Sequence, residues 1–158
     1  MPMRVIDQLK ATQGHTAFSF EILPPLKGND ITRVYSIIDK LREFDPKYIN
    51  ITSHHSEVQY QEMPDGSYIK KKIRKRPGSV AIASAIQNKY GITAVPHIIC
   101  KGFTRDETEY ALIDLNFLGV HDLLLLQGDA KGPDKSADPT KINQHATDLQ
   151  QQVNDFNR

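Results

Sequence analysis

The sequence predicts an α/β fold built on a parallel sheet. Two observations lead there. Segments with strand and helix periodicity alternate along the 158 residues, and each strand segment ends in polar or ionisable side chains. Alternation of this kind argues for parallel strands joined by right-handed helical crossovers. Such sheets place their ligands at the carboxyl ends of the strands.

Residues 3–12 read as a short amphipathic lead-in helix, with Val5, Ile6 and Leu9 on one face. The run from Phe18 to Leu23 is rich in strand formers, and Pro24-Pro25 stops it. Asn29 and Asp30 then offer N-caps for a helix whose stripe is Val34, Ile37, Ile38, Leu41 and Phe44. Asp45-Pro46 ends it, and Tyr48 to Thr52 forms the second strand. Residues 53–78 interrupt the rhythm: Glu57 to Glu62 and Ser67 to Ile73 flank a turn at Met63-Pro64-Asp65-Gly66, which predicts a surface hairpin or long loop.

A helix near 79–90 follows, stopped by Gly91, and Thr93 to Ile99 is the third strand. Thr104 and Glu107 make a capping box for the next helix, which carries Ala111, Leu112, Leu115 and Leu118 on one side and stops at Gly119. Asp122 to Gln127 is the fourth strand, its run of leucines suited to burial on both faces. A polar helix near 142–156 comes last. The whole reads as a single domain, 1–158, with the hairpin-like insertion near 53–78. Two architectures fit: a small open doubly wound sheet, or the first four units of an eight-stranded (β/α) barrel. A complete barrel needs at least about 200 residues, so this chain would supply about half of one.

Composition narrows the function classes. The 39% hydrophobic and 25% charged content is that of a globular chain, and a net charge of +1 gives no global argument for nucleic acid or an anionic membrane. There is no apolar run of the roughly 20 residues that a spanning helix needs, and no signal-peptide core, so a cytoplasmic protein is expected. The lone Cys100 fits a reducing compartment as a small apolar filler. His54-His55 point oppositely on a strand, and no His-x-x-x-His or cysteine pair supports a metal. No Gly-x-Gly-x-x-Gly and no P-loop is present. The basic run Lys70 to Arg76 reads as a solvated hairpin strand balanced by Glu57, Glu62 and Asp65, with a nucleic-acid or phosphate module as the rival.

The strand ends hold the chemistry. They are Glu21 with Pro24-Pro25, then Thr52-Ser53-His54-His55, then Pro96-His97 up to Cys100, then Gln127-Gly128-Asp129. Phe18, Phe20, Ile22 and Leu23 surround Glu21 in sequence. Such apolar surroundings would disfavour its ionised form and suit it to general-acid work. Gly128 allows close backbone approach to a ligand, with Asp129 a fixed negative charge beside it.

These stretches resemble the methylenetetrahydrofolate reductase family. The match runs through Ser19-Phe20-Glu21-Ile22-Leu23-Pro24-Pro25, Ile51-Thr52, Val95-Pro96-His97, Gln127-Gly128-Asp129 and His145-Ala146-Thr147-Asp148-Leu149, in family order across nearly the whole chain. The resemblance implies an eight-stranded (β/α) barrel with FAD at its carboxyl face, of which this chain is the amino-terminal half. It implies reduction of 5,10-methylenetetrahydrofolate to 5-methyltetrahydrofolate, with NADH or NADPH as hydride donor. By position, Glu21 matches the general acid and Asp129 the carboxylate beside flavin and folate. Thr52, Ser53, His97, Gln127, Gly128, His145 and Ala146 fall where family members contact FAD, and Glu21 to Pro25 matches a region assigned to the nicotinamide nucleotide. Four positions depart from the pattern: Gln127 and Leu26 for arginine, Ser53 for an aromatic, His145 for tyrosine. Half a barrel would leave strands one and four unpaired at their outer edges, so self-association into a homo-oligomer is expected. The rival reading of the same resemblance is an inactive barrel fragment.

Overall fold

The computed structural model describes residues 2–129 and 138–157. The elements run α1 (Val5–Ala11), β1 (Ser19–Ile22), α2 (Thr32–Leu41), β2 (Tyr48–Ile51), β3 (Glu57–Glu62), β4 (Tyr68–Ile73), α3 (Ser79–Tyr90), β5 (Thr93–Ile99), α4 (Arg105–Phe117), β6 (Leu124–Leu126) and α5 (Ala146–Phe156). Four strands form one parallel sheet in the order β1-β2-β5-β6. Spatial order follows chain order, without the reversal that defines a doubly wound sheet. The segment between β2 and α3 is an antiparallel hairpin, β3 on β4, forming a separate two-stranded sheet.

Local chemistry accounts for the boundaries. Neither Asn29 nor Asp30 is the N-cap of α2: that position is Ile31, which makes no side-chain cap bond, and Asp30 Oδ1 accepts from the Thr32 backbone N–H at 3.0 Å from one residue further out. Gly91 ends α3 in the left-handed region, at φ 67°. At α4, Glu107 N donates to Thr104 Oγ1 at 3.1 Å and Thr104 N to Glu107 Oε2 at 2.8 Å, closing the capping box. The hairpin turn is held by Gly66 N donating to the Met63 carbonyl at 2.9 Å.

Registers align residue types across the sheet. Phe20, Ile49 and Ala94 lie side by side, as do Ile22, Ile51 and Pro96. These rows face the helices. Ile22, Ile49, Ile51, Ala94 and Ile98 pack with Val34 and Ile38 of α2, Ile82 and Ile86 of α3, Leu115 of α4 and Leu149 of α5. The alternate row is Glu21, Asn50 and Val95, on the opposite face. Among the described residues, β1 and β6 are the edges of this sheet.

Three expectations change. The fourth strand spans only Leu124–Leu126, and it is not buried on both faces: Leu124 and Leu126 are exposed, while Leu125 packs on the core. Among the described residues no layer stands over the second face of this edge strand, so alternate residues stay unburied. In α2, Val34 and Ile38 are buried but Ile37 is exposed, and Phe44 lies beyond the helix in a 3-10 turn against Phe20. In α1 no residue is fully buried, and Ile6 and Leu9 are exposed. That helix is held by polar contacts instead: Val5 N donates to Asp122, and Gln8 Nε2 donates to Thr93 Oγ1 at 2.6 Å. No described helix is long and apolar enough to cross a membrane.

The two neighbouring isoleucines of α2 separate burial from composition. Ile38→Ala should destabilise the fold by about 2–5 kcal/mol, the usual cost of truncating a fully buried aliphatic side chain. Ile37→Ala should cost less than about 1 kcal/mol. Urea denaturation followed by circular dichroism reads both; equal losses would place Ile37 in the core.

Candidate functional site

The polar residues collect in three neighbourhoods at the carboxyl ends of the strands. The first lies on the sheet face that the helices leave open. Glu21 points there because it alternates with Phe20 and Ile22, and His97 points there from β5. His97 Nε2 stands 3.9 Å from Glu21 Oε2. The two differ sharply in environment: the His97 side chain is 6% exposed, that of Glu21 58%. The expected apolar enclosure of Glu21 is therefore not formed by its own neighbours, since Phe20 and Ile22 project to the other face. Asn50, beside Glu21 in register, joins this face and was missed in the sequence. Only the sheet register singles it out.

His97 is held through its backbone, whose carbonyl accepts from Ser79 Oγ at 3.1 Å. Among the described residues its Nε2 is a buried side-chain nitrogen with no hydrogen-bond partner. Burial pushes the His97 imidazole below its ordinary value of 6.5, and the nearby Glu21 carboxylate opposes that only in part. A neutral ring with an orphaned nitrogen facing the site is a hydrogen-bonding group awaiting a ligand.

The second neighbourhood joins β6 to α5. Cys100 N and Lys101 N donate to the carbonyls of Leu126 and Gln127, both at 3.1 Å, extending the β5–β6 ladder past the strands. Gln127 Nε2 donates to the Gln144 carbonyl at 3.0 Å and lies 3.4 Å from His145 Nδ1. His145 precedes Ala146, the first residue of α5. Asp148 fixes that helix start, accepting from His145 N at 2.9 Å and Gln144 N at 3.0 Å. These bonds, His145 first, hold the Asp148 carboxyl below the usual carboxylate range. Gly128 has φ +83°, and a Cβ there would come within 3.3 Å of Ile99 Cβ. Only glycine lets the chain turn so close to β5.

The third is a cleft of about 230 Å³ whose lining includes Leu26, His54, His55, Arg76 and Asp129. Arg76 donates to the Pro24 carbonyl, tying the end of the hairpin to the loop after β1. Desolvation lowers the His54 pKa, Arg76 and His55 lower it further, and Asp129 raises it. His55 packs on Gly102, where a Cβ would meet the His55 Cβ at 2.6 Å. Arg76 was read in the sequence only as part of a solvated run; nothing local marks its partner on a distant loop.

Thr52 continues the β1–β2 pairing, its N–H donating to the Ile22 carbonyl at 3.1 Å. Ser53 is set apart from the other residues, lining a separate cavity of about 300 Å³ with Phe103, Thr108 and Tyr110. Strand alternation sends it to the opposite side from Thr52.

Fold and site together define a parallel α/β protein with a carboxylate, a buried neutral imidazole and further polar groups at its strand ends, the usual seat of an enzyme site in this class. The family model for methylenetetrahydrofolate reductase matches residues 5–157. Methylenetetrahydrofolate reductase (NADH) 1 of Arabidopsis thaliana is 28% identical over 141 residues, 84% of this chain and 20% of the plant protein. The 5,10-methylenetetrahydrofolate reductases of Salmonella typhimurium and Escherichia coli are each 25% identical over 148 residues, 94% of this chain and 44% of theirs. The chain belongs to the methylenetetrahydrofolate reductase family, and it spans less than half the length of these relatives. Their names mark the relatives as oxidoreductases acting on a folate.

The buried imidazole has a consequence for stability. Below the ordinary value of 6.5 the unfolded ring takes up a proton that folded His97 resists, so stability should fall as pH drops through that region. Melting temperatures from about pH 7.5 to 5 should show this slope. His97→Gln should reduce it while leaving the share from His54, whose pKa is also lowered by desolvation. An unchanged slope would mean that His97 charges freely in the fold.

Proposed function

We propose that this chain forms the amino-terminal part of an eight-stranded (β/α) barrel that reduces 5,10-methylenetetrahydrofolate to 5-methyltetrahydrofolate, using FAD and NADH or NADPH. The observation that carries the reading is the buried, partnerless Nε2 of His97 beside Glu21 on the sheet face opposite the helices. Further support comes from the sheet itself. Its strands follow chain order, as they do around a barrel, and apolar side chains stand exposed at both edges: Phe18 and Leu23 near β1, Leu124 and Leu126 on β6. Additional β/α units joining at these edges would cover them.

The residues present fit a flavin. His97, neutral and unsatisfied, offers a hydrogen bond. Thr52, Gln127 and His145 add polar groups at the same strand ends, and Gly128 and Ala146 are small enough for close approach. Ser53, which lines the neighbouring cavity, would offer its hydroxyl there. FAD, when bound, supplies the two-electron relay between nicotinamide and folate.

The protein's own task is proton and charge management. Glu21 donates a proton to N10 of the folate, which makes that nitrogen a better leaving group as the five-membered ring opens. Its exposure on the open face gives it a route for taking up a fresh proton from solvent. Asp129, at the rim, stabilises the cationic form of the opened folate. His97 stays uncharged, so it binds without adding a positive charge beside Glu21. The NADH in the name of the plant relative favours a nicotinamide donor for this chain as well.

Glu21→Gln tests the assignment in the flavin-loaded protein, with the two half-reactions followed separately by flavin absorbance in stopped flow. Flavin reduction by NAD(P)H should stay near normal. Reoxidation by methylenetetrahydrofolate should slow by about 10²–10⁴-fold, the usual range for losing a general acid. Equal slowing of both would make Glu21 a positioning residue, and no slowing would remove it from the chemistry.

Gln127 offers an independent test. Its amide donates to a backbone carbonyl and carries no charge toward the cofactor. Gln127→Arg should tighten FAD binding about tenfold or more, given about 1.5–3 kcal/mol for a charge-assisted hydrogen bond. Titration showing unchanged or weaker affinity would mean that Gln127 is already matched to its site.

A further inference from the structure

The rim cleft of about 230 Å³ gathers positive charge that the proposed chemistry does not use. Arg74, Lys75 and Arg76 all contribute to its lining, where β4 gives way to the loop before α3. Two of the three are compensated. Arg74 pairs with Glu107 at 3.3 Å, and Lys75 with Glu57 at 2.5 Å. Arg76 is different: among the described residues it forms no ion pair, and its guanidinium donates to the neutral carbonyl of Pro24. A guanidinium carries several N–H donors in a rigid fork, so one bond to a carbonyl leaves most of the fork for a ligand.

His54 and His55 line the same cleft from the loop after β2. Desolvation lowers the His54 pKa most; among the charges, Arg76 and His55 lower it and Asp129 opposes them. Arg76 is the strongest of these charges, so the field at the imidazole is positive. A phosphate monoester suits that field. It brings about −1.5 to −2 charge and strong acceptor oxygens, to which a guanidinium and two imidazoles can all donate. Leu26 and Asp129 also line the cleft, from the loops after β1 and β6. An extended substrate lying over the strand ends therefore meets this cleft on the same rim.

We propose that the cleft is a subsite for the 2′-phosphate of NADPH, with Arg76 the residue that makes this chain prefer NADPH to NADH. The subsite presupposes the reaction proposed above and selects between its two hydride donors. Those nucleotides differ only in one phosphate monoester, far from the nicotinamide that gives up the hydride. A protein can tell them apart only where that group lies, and an arginine is its usual partner. Arg76 can keep its bond to the Pro24 carbonyl while the rest of its fork meets the phosphate. His54 and His55 complete the donor set, and the hairpin base supplies a cationic wall behind them.

Calorimetric titration with two adenosine ligands tests this without relying on turnover. Adenosine 2′,5′-bisphosphate carries the monoester, and adenosine 5′-monophosphate lacks it. The bisphosphate should bind about tenfold or more tightly, the scale of charge-assisted contacts, and added salt should narrow the gap. Arg76→Gln should erase the difference, and Arg76→Lys should keep part of it. Because Arg76 also braces the loop after β1, Leu26→Glu is a second variant. It puts a carboxylate at the cleft on a side chain that is 50% exposed, and should weaken the bisphosphate alone. In stopped flow on the flavin-loaded protein, Arg76→Gln should raise the NADPH concentration that half-saturates flavin reduction by about tenfold, with NADH unchanged. Equal binding of the two adenosine ligands overturns the subsite, as do equal losses for NADPH and NADH in Arg76→Gln. A loss confined to methylenetetrahydrofolate bearing extra glutamates would overturn it too, assigning the cleft to carboxylates. Failure of the reaction itself reads differently: neither nucleotide then reduces the flavin, while a bisphosphate preference that Arg76→Gln removes still supports the subsite.

Discussion

Everything at this site depends on strand alternation in a parallel sheet whose neighbouring strands are aligned residue for residue. In β1, β2 and β5 the aligned rows are apolar, polar, apolar: Phe20-Ile49-Ala94, then Glu21-Asn50-Val95, then Ile22-Ile51-Pro96. The apolar rows lie under α2 and α3, and the polar row faces the opposite way. A one-residue slip of β1 would turn Glu21 toward the helices and Ile22 into the open. Core and site are thus two sides of one register. Burial of the isoleucines, at about 1.5–3 kcal/mol each, is what holds Glu21 in place.

Strand β5 carries most of the organisation. It is buried along its whole length, brings His97 beside Glu21, and continues through Cys100 and Lys101 into the pairing that positions Gln127. Cys100 Sγ donates to the His145 carbonyl at 3.3 Å, so the same strand end also orients the start of α5. Burial raises the Cys100 thiol pKa further, which leaves it a packing group and not a nucleophile. Gly128 completes the arrangement by allowing the loop bearing Asp129 to turn tightly over Ile99.

The hairpin serves the site through its base. Lys27 N donates to the Lys75 carbonyl at 2.7 Å, and Arg76 reaches the Pro24 carbonyl. The loop after β1, which follows Glu21, is thereby braced against the end of β4. Lys75 also pairs with Glu57 across the foot of the ribbon. Much of the basic run is consequently engaged within the protein, and its charge shapes the rim and the ribbon surface together.

What the sequence by itself determined is local. The capping box at Thr104 and Glu107, the stop at Gly91 and the alternation through Phe20, Glu21 and Ile22 are set by residues within four positions of one another. The class of fold follows from their order, and the family from the residues at the strand ends. Tertiary structure alone decided the rest. It exposed Leu124 and Leu126, because burial of an edge strand depends on layers contributed from elsewhere. Glu21 was left open to solvent although its sequence neighbours are apolar, because a pleated strand sends adjacent side chains to opposite faces. Distant segments supplied the partners of His97 and Arg76. Pattern reads the contacts that a chain makes with its immediate neighbours; contacts between remote segments depend on the register and packing of the completed sheet.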